Sequence, residues 1–187
     1  MLASVRAMET IPGALILLAG PPGAGKSAVA GAFASAAARP TVHLPTDSLY
    51  VWIRSGFVLP YLPAAQHQNE VVTTVMIDAA LAYAHGGYDV VLDGILGPWL
   101  LDSFRSACAR AEVSMSYVVL RPSLEVTLAR ARSRAGHQLT ETEPIVGLYG
   151  AFADLGPLES HVIDSSAQTV AETVAALADN RFHLATK

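Results

Sequence analysis

The densest chemistry in the chain lies in eight residues, Gly20-Pro21-Pro22-Gly23-Ala24-Gly25-Lys26-Ser27. They satisfy G-x-x-x-x-G-K-[ST] at every fixed position. Glycines let the backbone turn so that successive N–H groups point into one concavity, which suits phosphate oxygens. In that arrangement Lys26 reaches the β- and γ-phosphates of a nucleotide, and the Ser27 hydroxyl takes a place on Mg²⁺. A helix starting at the loop would aim its positive dipole end at the same anion. Lysine occurs only at Lys26 and at the terminal Lys187.

The pattern needs a strand before it and a helix after it. Residues Ala14 to Ala19 form a short, wholly apolar run, as expected of a central strand buried on both faces. Ser27 to Ala38 is rich in alanine, with Gly31 its one breaker, and reads as a helix. A Gly/Pro surface turn is the competing reading, and this context disfavours it.

Two carboxylates fall where chemistry is expected. Asp93 closes the apolar run Tyr88 to Gly94, which places it to hold Mg²⁺ directly or through water. The competing reading is a turn or cap residue. Gly94 stands where motor-type ATPases usually carry a glutamate that activates water, so transfer to another acceptor is favoured over hydrolysis. Asp47 follows a second short strand, Thr41 to Leu44. Ligands of parallel sheets bind beyond the carboxyl ends of strands, so Asp47 is a candidate base for a substrate hydroxyl attacking the γ-phosphate. Thr46 or Asp47 as a helix cap is the plainer alternative.

Arg130, Arg132 and Arg134 lie on a helix beginning at Pro122. Arg130 and Arg134, four apart, share a face and could stabilise the charge of transfer. A solvated helix face is the competing reading. The segment Tyr61 to Asn69, with Gln66, His67 and Gln68, is polar and aromatic; together with Trp52 and Trp99 it supplies candidate substrate contacts.

These residues need a scaffold. The 187 residues suit a single domain. With 52% hydrophobic and 15% charged residues the chain is not disordered. A net charge of -4 offers no footprint for nucleic acid or an anionic membrane. One cysteine, Cys108, excludes an internal disulfide and fits a reducing compartment. The six histidines lack metal-ligand spacing, so each reads as structural or solvent-facing. Met1 to Pro12 reads as a loose lead-in; Arg6 and the following apolar run imitate a secretory signal, but the run passes straight into the phosphate loop. No stretch approaches the roughly 20 apolar residues of a membrane span, so a cytoplasmic protein is expected.

Further along, a helix runs from about Ala64 to His85, with Val71, Val72, Val75, Met76, Ala79 and Leu81 as its apolar face. Another runs from Pro98 to about Ala111, a fourth strand lies within Val113 to Leu120, and a helix extends to about Ala153. His161 to Asp164 is a fifth strand, and Thr169 to Ala178 the last helix. Alternating strands and helices indicate an α/β fold with a parallel sheet covered on both faces.

With these motifs the chain resembles the small P-loop kinases, the group of nucleoside monophosphate, shikimate, gluconate and chloramphenicol kinases. The resemblance rests on Gly20 to Ser27, Asp47, Asp93-Gly94 and Arg130-x-x-x-Arg134. It implies a P-loop NTPase fold with five parallel strands in the order 2-3-1-4-5 and a mobile lid after strand 4, here about residues 130–143. The R-x-x-x-R-x-G-H run from Arg130 to His137 looks like the lid entry of gluconate kinases; by that likeness Arg130 stacks on adenine and Arg134 contacts phosphates. Chloramphenicol phosphotransferase-like members carry an aspartate base after strand 2, which matches Asp47. One departure concerns the acceptor. Nucleoside monophosphate kinases present arginines for the acceptor phosphate between strands 2 and 3, where this chain has only Arg54.

The resemblance thus implies an ATP-dependent, Mg²⁺-assisted phosphotransferase acting on a small molecule as a monomer or homodimer. A cytidylate-like kinase, a zeta-toxin-like sugar-nucleotide kinase and a non-catalytic ATP-binding regulatory module are the alternatives. A switch GTPase is disfavoured, because neither Asn69 nor Asn180 precedes the lysine of an N-K-x-D motif. A mechanical ATPase is disfavoured by the length and by Gly94.

Overall fold

The structure, a computed structural model, describes residues 11–133 and 141–185, with Asn180 described in its backbone only. Five strands lie side by side in the order β2-β3-β1-β4-β5, all parallel. They are β1 (Leu15–Ala19), β2 (Thr41–Pro45), β3 (Asp89–Asp93), β4 (Met115–Leu120) and β5 (Val162–Ile163). The order is the one the resemblance implied.

The helices are α1 (Lys26–Ala36), α2 (Thr46–Val51), α3 (Gln66–His85), α4 (Leu101–Ala111), α5 (Leu124–Arg132), α6 (Thr142–Gly150) and α7 (Val170–Ala176). A sixth strand, β6 (His183–Leu184), runs antiparallel to β4. It was not anticipated, because two residues carry no readable periodicity. β5 pairs with Val119 and Leu120 while β6 pairs with Met115 and Ser116, so the two short strands share one edge of β4.

Alternation along the strands sends successive side chains to opposite faces. Leu15, Leu17, Val90, Leu92, Tyr117 and Val119 join the core beneath α3 and α4. Leu18, Val91, Val118 and Leu120 join a second core that includes Val29 of α1. Burial on both faces explains why β1, β3 and β4 read as unbroken apolar runs. Among the described residues no helix is long and apolar enough to cross a membrane.

Two local expectations are corrected. The buried face of α3 is Val72, Thr73, Met76, Ala80 and Ala84. Val71 and Val75 are instead 50% and 42% exposed. The helix seats its i, i+4 row against the sheet, and the flanking valines rotate out to solvent. The N-cap of α2 is Pro45, with no side-chain cap hydrogen bond, so neither Thr46 nor Asp47 caps it. Both lie inside the first turn, where the chain enters the helix directly from β2.

Strand register brings the site together. Asp93 is level with Leu18 on one side and Pro45 on the other. The carboxyl ends of β1, β2 and β3 are therefore flush, and Gly20, Thr46 and Gly94 all begin at the same edge of the sheet.

Candidate active site

A cavity of about 1140 Å³ opens at that edge. It exceeds the roughly 300–1,000 Å³ typical of single small-ligand sites, which leaves room for two ligands. The phosphate loop forms its floor. Gly23 and Gly25 stand at φ 91° and 92°, backbone that side-chain-bearing residues rarely adopt. Gly23 also lies so close to α5 that a Cβ would fall 2.4 Å from the Thr127 carbonyl oxygen. Lys26 opens α1, is 7% exposed, and donates to the Pro21 carbonyl at 2.9 Å. The ammonium is thus held over the loop itself.

Ser27 and Asp93 meet across this floor. The Ser27 hydroxyl donates to Asp93 Oδ2 at 2.6 Å. Asp93 is 3% exposed, and its Oδ1 lies 2.6 Å from His43 Nε2. Among the described residues no cluster of three or more His, Cys, Asp or Glu could hold a metal. A hydroxyl beside one carboxylate instead suits Mg²⁺, a hard ion that takes one or two protein oxygens and completes its shell with phosphate and water. The residues present fit that ion.

Sequence reading passed over His43, which carries no ligand spacing. The signal is geometric: His43 is level with Val91, so strand alternation puts it on the face that Asp93 shares two residues on.

Asp47 lines the same cavity, exposed, in the first turn of α2. Its charge is felt nearby, because the Tyr50 phenol is pushed up first by burial and then by Asp47. Tyr50 thus stays a neutral donor, and its hydroxyl meets Asn69 Oδ1 at 3.2 Å.

Thr46, 2% exposed, packs against Gly94, the residue that follows β3. A Cβ on Gly94 would fall 2.0 Å from Thr46 Oγ1. We therefore expect Gly94→Ala to lower stability by about 1–3 kcal/mol, the usual range for overpacking. A shift of the urea midpoint at constant slope would show it; an unchanged midpoint would mean that the contact relaxes freely.

Arg130, near the end of α5, lines the cavity, and its Nη2 donates to the Ser165 carbonyl at 3.0 Å. Its Nη1 is the nearest atom to where a Cβ on Gly25 would sit, at 3.9 Å. The guanidinium thus lies above the phosphate loop. Arg134 and half of the expected lid, residues 134–140, fall outside the described residues.

Of the candidate substrate contacts, Trp99 lines the cavity, as do Trp52, Tyr61 and Asn69. Arg54 is exposed and off the lining. Gln68 also lies off it: its Oε1 accepts from the Val58 amide at 2.9 Å and its Nε2 donates to the Val58 carbonyl at 2.7 Å. Both amide atoms are engaged in holding the loop that precedes α3. The Cys108 thiol is buried and pushed up to about 11 by that burial, so it is a packing residue beside Met115.

The profile of a family described as an AAA domain matches residues 15–145, which span the phosphate loop, Asp47, Asp93 and Arg130. The chain belongs to this AAA domain family. Its fold recurs in a sugar kinase from Janibacter sp. HTCC2649, with a TM-score of 0.66 at 18% identity over 89% of this chain and 92% of that one. It is also similar to the tunicamycin resistance protein of Deinococcus radiodurans, with a TM-score of 0.65 at 17% identity, covering 89% and 94% of the two chains. A gluconokinase from Sinorhizobium meliloti 1021 has a TM-score of 0.63 at 22% identity, covering 91% and 96%. No functionally curated protein matches the sequence. These likenesses establish that this AAA domain has the P-loop kinase fold.

Proposed function

We propose that this AAA domain protein is an ATP-dependent phosphotransferase that moves the γ-phosphate of ATP to a hydroxyl of a small molecule. The observation that carries the reading is one cavity lined by Lys26, Ser27, Asp93 and Asp47 at the flush ends of three strands. Two of the similar structures being a sugar kinase and a gluconokinase supports a hydroxyl-bearing acceptor.

In this reading the phosphate loop and Lys26 hold the triphosphate, with Ser27 and Asp93 as the protein ligands of Mg²⁺. When bound, that ion neutralises charge on the β- and γ-oxygens. The acceptor oxygen attacks the γ-phosphorus in line. A new O–P bond forms as the bond from the γ-phosphorus to the β-bridging oxygen breaks, and ADP departs. The acceptor proton passes to the Asp47 carboxylate and from there to water. Arg130 lies over the loop on the nucleotide side, where a planar guanidinium can stack on a base.

The test is ADP release from ATP and Mg²⁺ against nucleosides, nucleotides, sugars and aminoglycoside- and phenicol-type antibiotics. We expect release to rise above the acceptor-free rate with at least one neutral hydroxyl compound, with a phosphorylated product by phosphorus NMR. Release that is rapid without acceptor and indifferent to every addition would instead identify a hydrolase.

A further inference from the structure

The two ends of the cavity differ in chemistry. Lys26 and Arg130 are the only cationic side chains on its lining among the described residues, and both stand on the phosphate-loop side. The opposite end, formed by α2, the loop before α3 and the turn before α4, carries the Asp47 carboxylate. Around it stand five large apolar side chains that the surface leaves uncovered: Trp52 (70% exposed), Phe57 (45%), Leu59 (44%), Tyr61 (39%) and Trp99 (58%). Single exposed apolar residues are ordinary, but a contiguous group rimming one opening marks a binding surface.

This wall is built in advance. The loop that carries Phe57, Leu59 and Tyr61 is held by Gln68 at Val58, and Asn69 Nδ2 donates to the Pro60 carbonyl at 2.8 Å. Trp99 packs with Phe152 at 6.0 Å between ring centroids. It also sits so close to Gly97 that a Cβ there would fall 2.1 Å from the indole.

We infer that the acceptor is an uncharged hydroxyl compound with an aromatic or aliphatic body, seated on the wall of Trp52, Phe57, Leu59, Tyr61 and Trp99 with its hydroxyl at Asp47. The inference rests on the phosphotransferase reading. A phosphorylated or carboxylated acceptor would bring its anion beside Asp47, where no cation stands among the described lining residues, which costs affinity. A polyhydroxylated sugar would find on these five side chains only two indole N–H groups and the Tyr61 hydroxyl as hydrogen-bond partners. An apolar body removes area from water at every one of the five side chains. The transfer itself balances as a simple exchange: the acceptor O–H yields its proton to Asp47, its oxygen bonds the γ-phosphorus, and ADP leaves.

The chain's two tryptophans, Trp52 and Trp99, both lie on this wall, so tryptophan emission, excited apart from the tyrosines, reports on the acceptor end. The intact protein would be titrated with 3-phenylpropan-1-ol, gluconate and cytidine 5′-monophosphate, following emission and, by calorimetry, affinity. We expect the alcohol to shift the emission and to bind at least tenfold more tightly than either anion. Trp99→Ala and Leu59→Arg, both at exposed positions, should each weaken the alcohol at least fivefold with ATP affinity unchanged. Tighter binding of gluconate or the nucleotide, or no emission change with the alcohol, overturns the inference. ATP affinity measured in parallel separates the two readings. Binding of ATP with preference for an anionic acceptor removes the inference alone, whereas binding of the alcohol without any binding of ATP removes the phosphotransferase reading and leaves the wall's chemistry standing.

Discussion

Lys26→Ala should lower phosphoryl transfer by at least about a hundred- to thousandfold, the scale of losing one preorganised donor to a developing anion. The sequence holds one other lysine, Lys187. ATP affinity should fall as well, since a charged donor acts on the ground-state phosphates too. The fold should survive. Lys26 opens α1, and the change removes its bond to the Pro21 carbonyl, a loss of about 1 kcal/mol for a typical hydrogen bond. Lys26→Met retains most of the apolar stem, so equal kinetic damage from both variants would assign the effect to the ammonium. The measurements are ATP binding by calorimetry and transfer to the acceptor found by screening. Unchanged affinity and turnover in a folded variant would remove the phosphate-loop assignment.

Asp47→Asn should separate the acceptor chemistry from the nucleotide chemistry. The amide keeps the size of the side chain and most of its hydrogen bonding while losing its basicity. Removing a general base typically costs about 10²–10⁴ in rate. ATP affinity should hardly move, because Lys26, Ser27 and Asp93 belong to other elements. Stability should change little: Asp47 is exposed and makes no cap hydrogen bond, and losing its interaction with the helix dipole costs about 0.3–1 kcal/mol. Near-normal transfer would show that the carboxylate takes no proton. Loss of ATP affinity together with rate would move Asp47 to the metal and the phosphates.

Much of this architecture was legible before folding because it depends on local features. The phosphate loop is a local motif whose glycines and lysine act within eight residues, and the buried strands announce themselves as apolar runs. Asp93 and Asp47 were singled out because one ends such a run and the other lies just beyond a strand, and ligands collect where parallel strands end. The sequence by itself therefore determined the five parallel strands, the main helices and the place of the phosphate loop between β1 and α1.

Left to the tertiary structure was everything that depends on register and on contact between distant segments. His43 meets Asp93 only because β2 lies beside β3 with His43 level with Val91. Gln68, a candidate for substrate, engages Val58 because the loop before α3 folds back on that helix. The absence of a side chain at Gly94, read from sequence as a missing glutamate, is also a steric demand of Thr46, a residue far earlier in the chain. Val71 and Val75 match the apolar pattern yet face water, since periodicity defines a stripe and only packing selects which edge of it is covered. The aromatic wall belongs to the same class. Trp52, Phe57, Tyr61 and Trp99 come from three separate segments, and only the tertiary fold makes them one surface opposite the phosphate loop.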